Sequence, residues 1–146
     1  SKPEAENIPI LEERLNLYAP INSRFAQKQS VALDELENET IILDGKKPNY
    51  FSDTLSELAN KRNVNINFIY HDDYVVYHQL MRFSQYLFIS SNISRKYNED
   101  IPNRVHIPFA DKELRITYYI SFLGSNKKTV EPFVDWIKKK YKKLLI

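Results

Sequence analysis

The sequence predicts an α/β domain with a mixed sheet of about five strands and helices on both faces. Three observations predict it. Residues 40–43 (TIIL) form a β-rich run, which Asp44, Gly45 and Pro48 then interrupt. From Tyr50 to Arg62 the apolar residues Phe51, Leu55, Leu58 and Ala59 recur at i, i+4, i+7 and i+8, one face of a helix. Asn63 closes that helix, and residues 65–70 alternate as a strand does, with Ile66, Phe68 and Tyr70 on one side. A strand, a crossover helix and a strand within about 30 residues make a βαβ unit, whose two strands run parallel. Ligands of open α/β sheets collect where strands end and helices begin. Here that rim comprises residues 44–50 and 71–73.

The size and composition narrow the function. The 146 residues are enough for one core. The hydrophobic share of 42% and charged share of 27% are those of ordinary globular proteins. A net charge of +2 does not by itself mark a nucleic-acid binder. The absence of cysteine excludes a disulfide scaffold, a thiolate zinc site and a cysteine nucleophile. There is no apolar run of membrane-spanning length and no signal-peptide pattern, so a cytoplasmic protein with no membrane partner is expected. Gly45 and Gly124 are the only glycines, so neither a phosphate-binding loop nor a dinucleotide fingerprint can be written, and no cofactor is expected.

The remaining elements follow in order. Residues 1–9 are polar, contain two prolines and are expected as a disordered lead. Residues 10–18 (ILEERLNLY) alternate at Leu15 and Leu17 as a strand, which Pro20 stops. Ser30 or Val31 opens a short turn with Leu33 and Leu36 inward. Beyond the βαβ unit, Asp72 or Asp73 caps a second helix, because a carboxylate there accepts from first-turn N–H groups and suits the helix dipole. This helix runs to about Phe83, with Val76, Leu80 and Phe83 on one face. Residues 85–90 (QYLFIS) read as a buried parallel strand. Residues 91–103 are polar and irregular, with one helical turn near Ser94. Residues 105–109 and 114–123 are strands. Thr129 is expected to cap a last helix, with Glu131 and Pro132 in its first turn and Val130, Phe133, Val134, Ile137, Tyr141 and Leu144 as its stripe. The lysines from Lys138 to Lys143 suit the negative end of that helix better than they mark a nucleic-acid surface.

Two clusters are candidate sites. His71-Asp72-Asp73 is the densest group of polar functional side chains. Adjacent residues rarely converge on one ion and no second ligand cluster accompanies them, so no metal and no catalytic residue is assigned. Capping is the main reading, and contact with a small ligand is compatible with it because both use the helix N-terminus. Residues 44–50 (DGKKPNY) offer ammonium groups, an amide and a phenol, and read either as a site for a polar or anionic ligand or as a solvated turn. His78 and His106 stand alone and read as structural or surface groups. Ser84, Ser90 and Ser91 lack a G-x-S-x-G setting, so no hydrolase triad is argued.

Several local phrases resemble the effector-binding region of LysR-type transcriptional regulators, in particular its second regulatory subdomain. Residues 11–20 (LEERLNLYAP) are similar to a strand of that family, and Arg24-Phe25-Ala26 falls at its HPLA-like turn. Residues 30–43 (SVALDELENETIIL) give the closest match. Residues 105–109 (VHIPF) resemble the family's "v.vPl" strand, and residues 133–137 (FVDWI) its closing helix. One departure stands out: the family's Gly-rich stretch after the second helix corresponds here to residues 81–92 (MRFSQYLFISSN), which hold no glycine.

The resemblance implies a lobe similar to periplasmic binding proteins. It implies no enzyme, but an effector-sensing fragment that self-associates as a homo-oligomer. DNA would be bound only through a missing N-terminal domain, and the partner would be a small-molecule effector bound by the intact protein. The ligand-facing residues carried over are Asp44, Gly45, Asn49, Tyr50, His71 and Asp73. With half of the family's cleft absent, weak or undetectable effector affinity is expected of this chain alone, and residues 15–18 and 118–123 are expected as hinge strands. The implied division is a lead at 1–9, an effector-binding subdomain at 10–123 and, at 124–146, a helix that normally packs on the missing subdomain. That helix is expected to fold back or exchange with another chain. The alternative is a stand-alone module for a small ligand or a protein, without DNA binding.

Overall fold

A computed structural model of the chain describes residues 4–46, 50–97 and 100–142. It has six strands: β1 (Ala5–Pro20), β2 (Thr40–Asp44), β3 (Asn67–His71), β4 (Leu87–Ser91), β5 (Arg104–Pro108) and β6 (Arg115–Leu123). It has four α-helices: α1 (Tyr50–Lys61), α2 (Tyr74–Phe83), α3 (Asn92–Tyr97) and α4 (Lys127–Tyr141). Short 3₁₀ turns cover Leu33–Leu36 and Gly124–Asn126. The sheet order is β3-β2-β4-β1-β5, and β6 pairs with β1. The sheet is therefore mixed, as expected, with one strand more than expected. Among the described residues no helix is long and apolar enough to cross a membrane.

The chain divides into two compact units, Arg14–Arg115 and the paired segments Ser1–Glu13 with Ile116–Ile146. These bounds differ from the expected division at 10–123 and 124–146, because β6 belongs with the flanking segments. The first half of β1 belongs there too. Strand β1 starts at Ala5, so half of the stretch expected as a disordered lead is strand. Its hydrogen-bonded neighbour is the reason, and Ser121 Oγ reaches Asn7 Oδ1 at 2.5 Å. Nearby, the Tyr118 hydroxyl donates to Glu13 at 2.6 Å.

The βαβ unit forms as its periodicity predicts. β2 and β3 run parallel, from Thr40 opposite Asn67 to Asp44 opposite His71. The connection is fixed at the other end of the strands, where Asn38 N–H donates to Asn65 O at 2.7 Å and Asn67 N–H to Glu39 O at 2.9 Å. Leu55, Leu58 and Ala59 of α1 are buried. The helix ends on Asn63 at φ 57°, with Val64 N–H returning to Ala59 O at 2.8 Å. Asn suits this left-handed position because its short amide tolerates it better than branched side chains do. Leu33 and Leu36 are fully buried, as the turn predicted. Asp111 accepts Leu33 N–H at 2.8 Å and a bond from Arg62, tying that turn and the end of α1 to the loop before β6.

Helices α2 and α4 differ in detail from their expected forms. The inward face of α2 carries Tyr77, with Leu80 and Met81 packed on the cluster of Tyr18, Ile42, Phe88 and Ile101. Val76 and Phe83 are exposed instead. The face is turned about one residue step from the expected stripe, toward the large apolar ring of Tyr77. The Tyr77 ring meets Phe88 edge-on, with centroids 5.3 Å apart. In α4, Thr129 is not the cap: the 3₁₀ turn runs directly into the helix, so Thr129 and Pro132 lie inside it. Val134 is buried and Phe133 is exposed. Leu144 lies outside the described residues.

Arg104 is buried with no carboxylate partner among the described residues, and its guanidinium donates to four carbonyls. These are Met81 O, Ser84 O at 2.8 Å, Tyr86 O at 2.7 Å and Tyr18 O at 3.3 Å. The cation also lies 4.8 Å from the Phe88 ring centroid. Burial holds its proton affinity below the usual arginine value. Arg104→Met removes all four donors and leaves carbonyls unpaired, so it is expected to cost about 2–4 kcal/mol in urea unfolding.

Candidate functional site

Alternation along the strands collects a polar set on one face of the sheet. Antiparallel pairing sets Tyr18 of β1 opposite His106 of β5, and Asn16 opposite Ser90 of β4. Parallel pairing sets Ile42 of β2 opposite Phe88 of β4. Successive side chains point to opposite faces, so Asp44, Tyr18, Ser90 and His106 share a face. A cleft of about 720 Å³ opens there within the Arg14–Arg115 unit. Tyr74, His78 and Arg82 of α2 wall it on one side, and Ser94 and Arg95 of α3 on another.

The polar end of the cleft is tightly organised. Ser90 Oγ lies 2.8 Å from His106 Nδ1, and His106 Nε2 lies 3.1 Å from Asp100 Oδ1. The imidazole stacks on Tyr18 at 4.1 Å and 9°. The Tyr18 hydroxyl in turn accepts Ile101 N–H at 3.0 Å. Burial lowers the proton affinity of His106 below its ordinary 6.5, and Asp100 opposes that shift. Ser91 and Ser94 bond reciprocally, Ser91 N–H to Ser94 Oγ at 2.9 Å and Ser94 N–H to Ser91 Oγ at 3.1 Å, which fixes the start of α3. His78 packs against Tyr74 at 4.1 Å.

The sequence-based candidates fall at the end of the parallel strands. Asp44 lines the cleft. Gly45 takes φ 91° and donates its N–H to His71 O at 2.8 Å, so Asp44, Gly45 and His71 come together beside the paired strand ends. His71 is not among the cleft-lining residues. Asp73 caps α2, accepting Val75 N–H at 2.9 Å and Val76 N–H at 3.1 Å, as its position predicted. Tyr50 is the first residue of α1; its side chain and Asn49 lie outside the described residues.

Sequence reasoning missed Tyr18, His78, Ser90 and His106 as cleft residues. The two histidines read as isolated, yet both line the cleft. The usable signal was the even-residue alternation of β4 and β5, but it speaks only once their antiparallel pairing with β1 is known. Among the described residues no three His, Asp or Glu side chains converge as metal ligands.

No protein-family model matches the sequence, and no curated protein does. Solved structures do match. The regulatory domain of Synechocystis CcmR, in complex with 2-PG, is 13% identical with a TM-score of 0.74, over 100% of this chain and 71% of that one. The reduced regulatory domain of OxyR from Pseudomonas aeruginosa is 14% identical with a TM-score of 0.73, over 94% of this chain and 68% of that one. The regulatory domain of MetR, a LysR-family regulator from N. meningitidis, is 14% identical with a TM-score of 0.73, over 97% of this chain and 66% of that one. At such identities the likeness is one of fold. The chain has the periplasmic-binding-protein-like fold of LysR-type regulatory domains, as the sequence resemblance implied.

The half-buried His106 gives a pH prediction. Its folded-state proton affinity is lowered, so the unfolded chain binds the proton more readily. Its contribution to stability is complete above pH 6.5 and is lost as pH falls from there through the folded value. Urea midpoints measured against pH should therefore fall on acidification, and His106→Gln should flatten that part of the curve.

Proposed function

We propose that this chain senses a small-molecule effector as part of a cytoplasmic LysR-type transcriptional regulator, by binding and not by catalysis. The observation that carries the reading is a ligand-sized cleft in a domain with that fold. Its volume, about 720 Å³, lies in the usual range for small-molecule sites, and polar groups gather at one end of an aromatic lining. A domain of the same fold holds 2-PG in the CcmR structure. Asp44, Gly45, Asn49, Tyr50, His71 and Asp73 remain proposed ligand contacts, joined by the cleft residues Tyr18, His78, Ser90 and His106. An effector that prefers one conformation of the whole regulator shifts the population toward it. DNA is then read by a helix-turn-helix encoded outside these residues, and an upstream segment of that kind in the native gene separates a regulator from a stand-alone module.

Ligand-observed NMR with a library of small metabolites is the direct test. Hits should perturb cleft resonances, and Tyr74→Ala should weaken a hit about tenfold, roughly 1.4 kcal/mol, with an unchanged melting temperature. Tyr74 is 71% exposed, so its truncation leaves the core intact. A cleft-directed hit on this chain supports the sensing reading, and a library without one against the intact regulator removes it.

We also propose that the chain self-associates through α4. Phe133 and Trp136 are both exposed and stack at 6.1 Å, an apolar pair of the kind that drives association. Sedimentation should show a species heavier than one chain, and Trp136→Glu should shift it toward the monomer. Trp136 is the sole tryptophan, so its emission should also move to shorter wavelength as concentration rises.

A further inference from the structure

Building on the effector-binding reading, we propose that Ser90, His106 and Asp100 form a proton-operated switch through which the cleft takes up a small carboxylate together with one proton. The argument starts from donors and acceptors. An ionised Asp100 can only accept, so the hydrogen of a neutral His106 ring sits on Nε2, which faces Asp100 at 3.1 Å. Nδ1 then carries a lone pair and accepts the Ser90 hydroxyl at 2.8 Å. In this state the hydrogen of Ser90 is committed to the ring, and the cleft meets only the lone pairs of its oxygen. A carboxylate, itself acceptor-only, is repelled.

A proton on Nδ1 reverses the bond. The imidazolium donates to Ser90 Oγ, and the Ser90 hydroxyl turns its hydrogen to the cleft, where a carboxylate oxygen accepts it. The balance is one anion and one proton bound together, with no covalent change. The groups that face His106 act in both directions. Asp100 stabilises the charged ring, and Tyr18 stacks on it. Arg104 lies behind Tyr18, 5.9 Å from that ring. The positive charge of Arg95 on α3 opposes protonation in the empty cleft. A carboxylate bound beside Arg95 cancels that opposition. Arg82 and Arg95 both line the cleft, and neither pairs with a carboxylate among the described residues.

The probe is phenylacetate, which offers a carboxylate to the polar end and a ring to Tyr74 and Phe51. Phenylacetamide is its uncharged counterpart. Both are titrated at millimolar concentration, followed by the His106 ring resonances and by calorimetry in two buffers of different ionisation heat. Phenylacetate affinity should fall about tenfold per pH unit between the proton affinities of the free and bound states. One proton should be taken up, and the affinity of the amide should not depend on pH. His106→Gln should abolish the slope. Asp100→Asn, at an exposed side chain, should keep the slope and move its midpoint to lower pH. The buffer comparison on the unaltered protein decides the matter even if a variant misfolds. Phenylacetate bound without proton uptake overturns the switch and leaves the effector reading standing. An amide bound as tightly as the acid at low pH does the same. Binding of neither overturns the carboxylate assignment, and the library screen then decides the effector reading separately.

Discussion

The Arg104 guanidinium, removed from water and held by four main-chain oxygens, is the contact on which the architecture of the cleft depends. It takes carbonyls from β1, from the last turn of α2 and from the segment that leads into β4. Carbonyls at the end of a helix lack partners within it and carry partial negative charge, so a cation there stabilises both the helix and itself. Burial penalises the bare charge, and four well-placed acceptors with an aromatic face offset that penalty. β1, the stretch 81–86 and β5, which are distant in sequence, are thereby held around one face of the sheet.

The order of the sheet sets what that face contains. Because β1 lies antiparallel between β4 and β5, residues from three strands come level with one another. Tyr18 is the pivot of this arrangement. Its ring supports His106, its hydroxyl holds the backbone of Ile101, and its carbonyl serves Arg104. A side chain with ring and hydroxyl both engaged, on a backbone that is itself held, has little freedom left, so the imidazole that leans on it is already oriented before any ligand arrives.

The local parts of this design were legible in the sequence. The 3.6-residue period gave α1, alternation gave β3, and the capping chemistry of Asp73 and Asn63 placed helix ends correctly. Such signals need only neighbours in the chain. The cleft was less legible. Ser90, Asp100 and His106 follow no motif spacing, and Tyr18 meets His106 only through a strand pairing that no local pattern encodes. The strand-end rule led to Asp44 and His71, the parallel side of the sheet, and left out the antiparallel strands. The inner face of α2 was displaced: the stripe of Val76, Leu80 and Phe83 leaves out Tyr77, which packing buries.

The Arg104 contact also bears on how such a cleft can diversify. Its partners at positions 18, 81, 84 and 86 contribute carbonyl oxygens, which every amino acid possesses. Tyr18 lines the cleft, and so does Met81. A lineage can therefore exchange the side chain of Met81, and with it the chemistry presented to a ligand, without losing an acceptor of the anchor. The guanidinium is indifferent to the side chain at position 81, so drift in specificity and retention of the anchor are separable there.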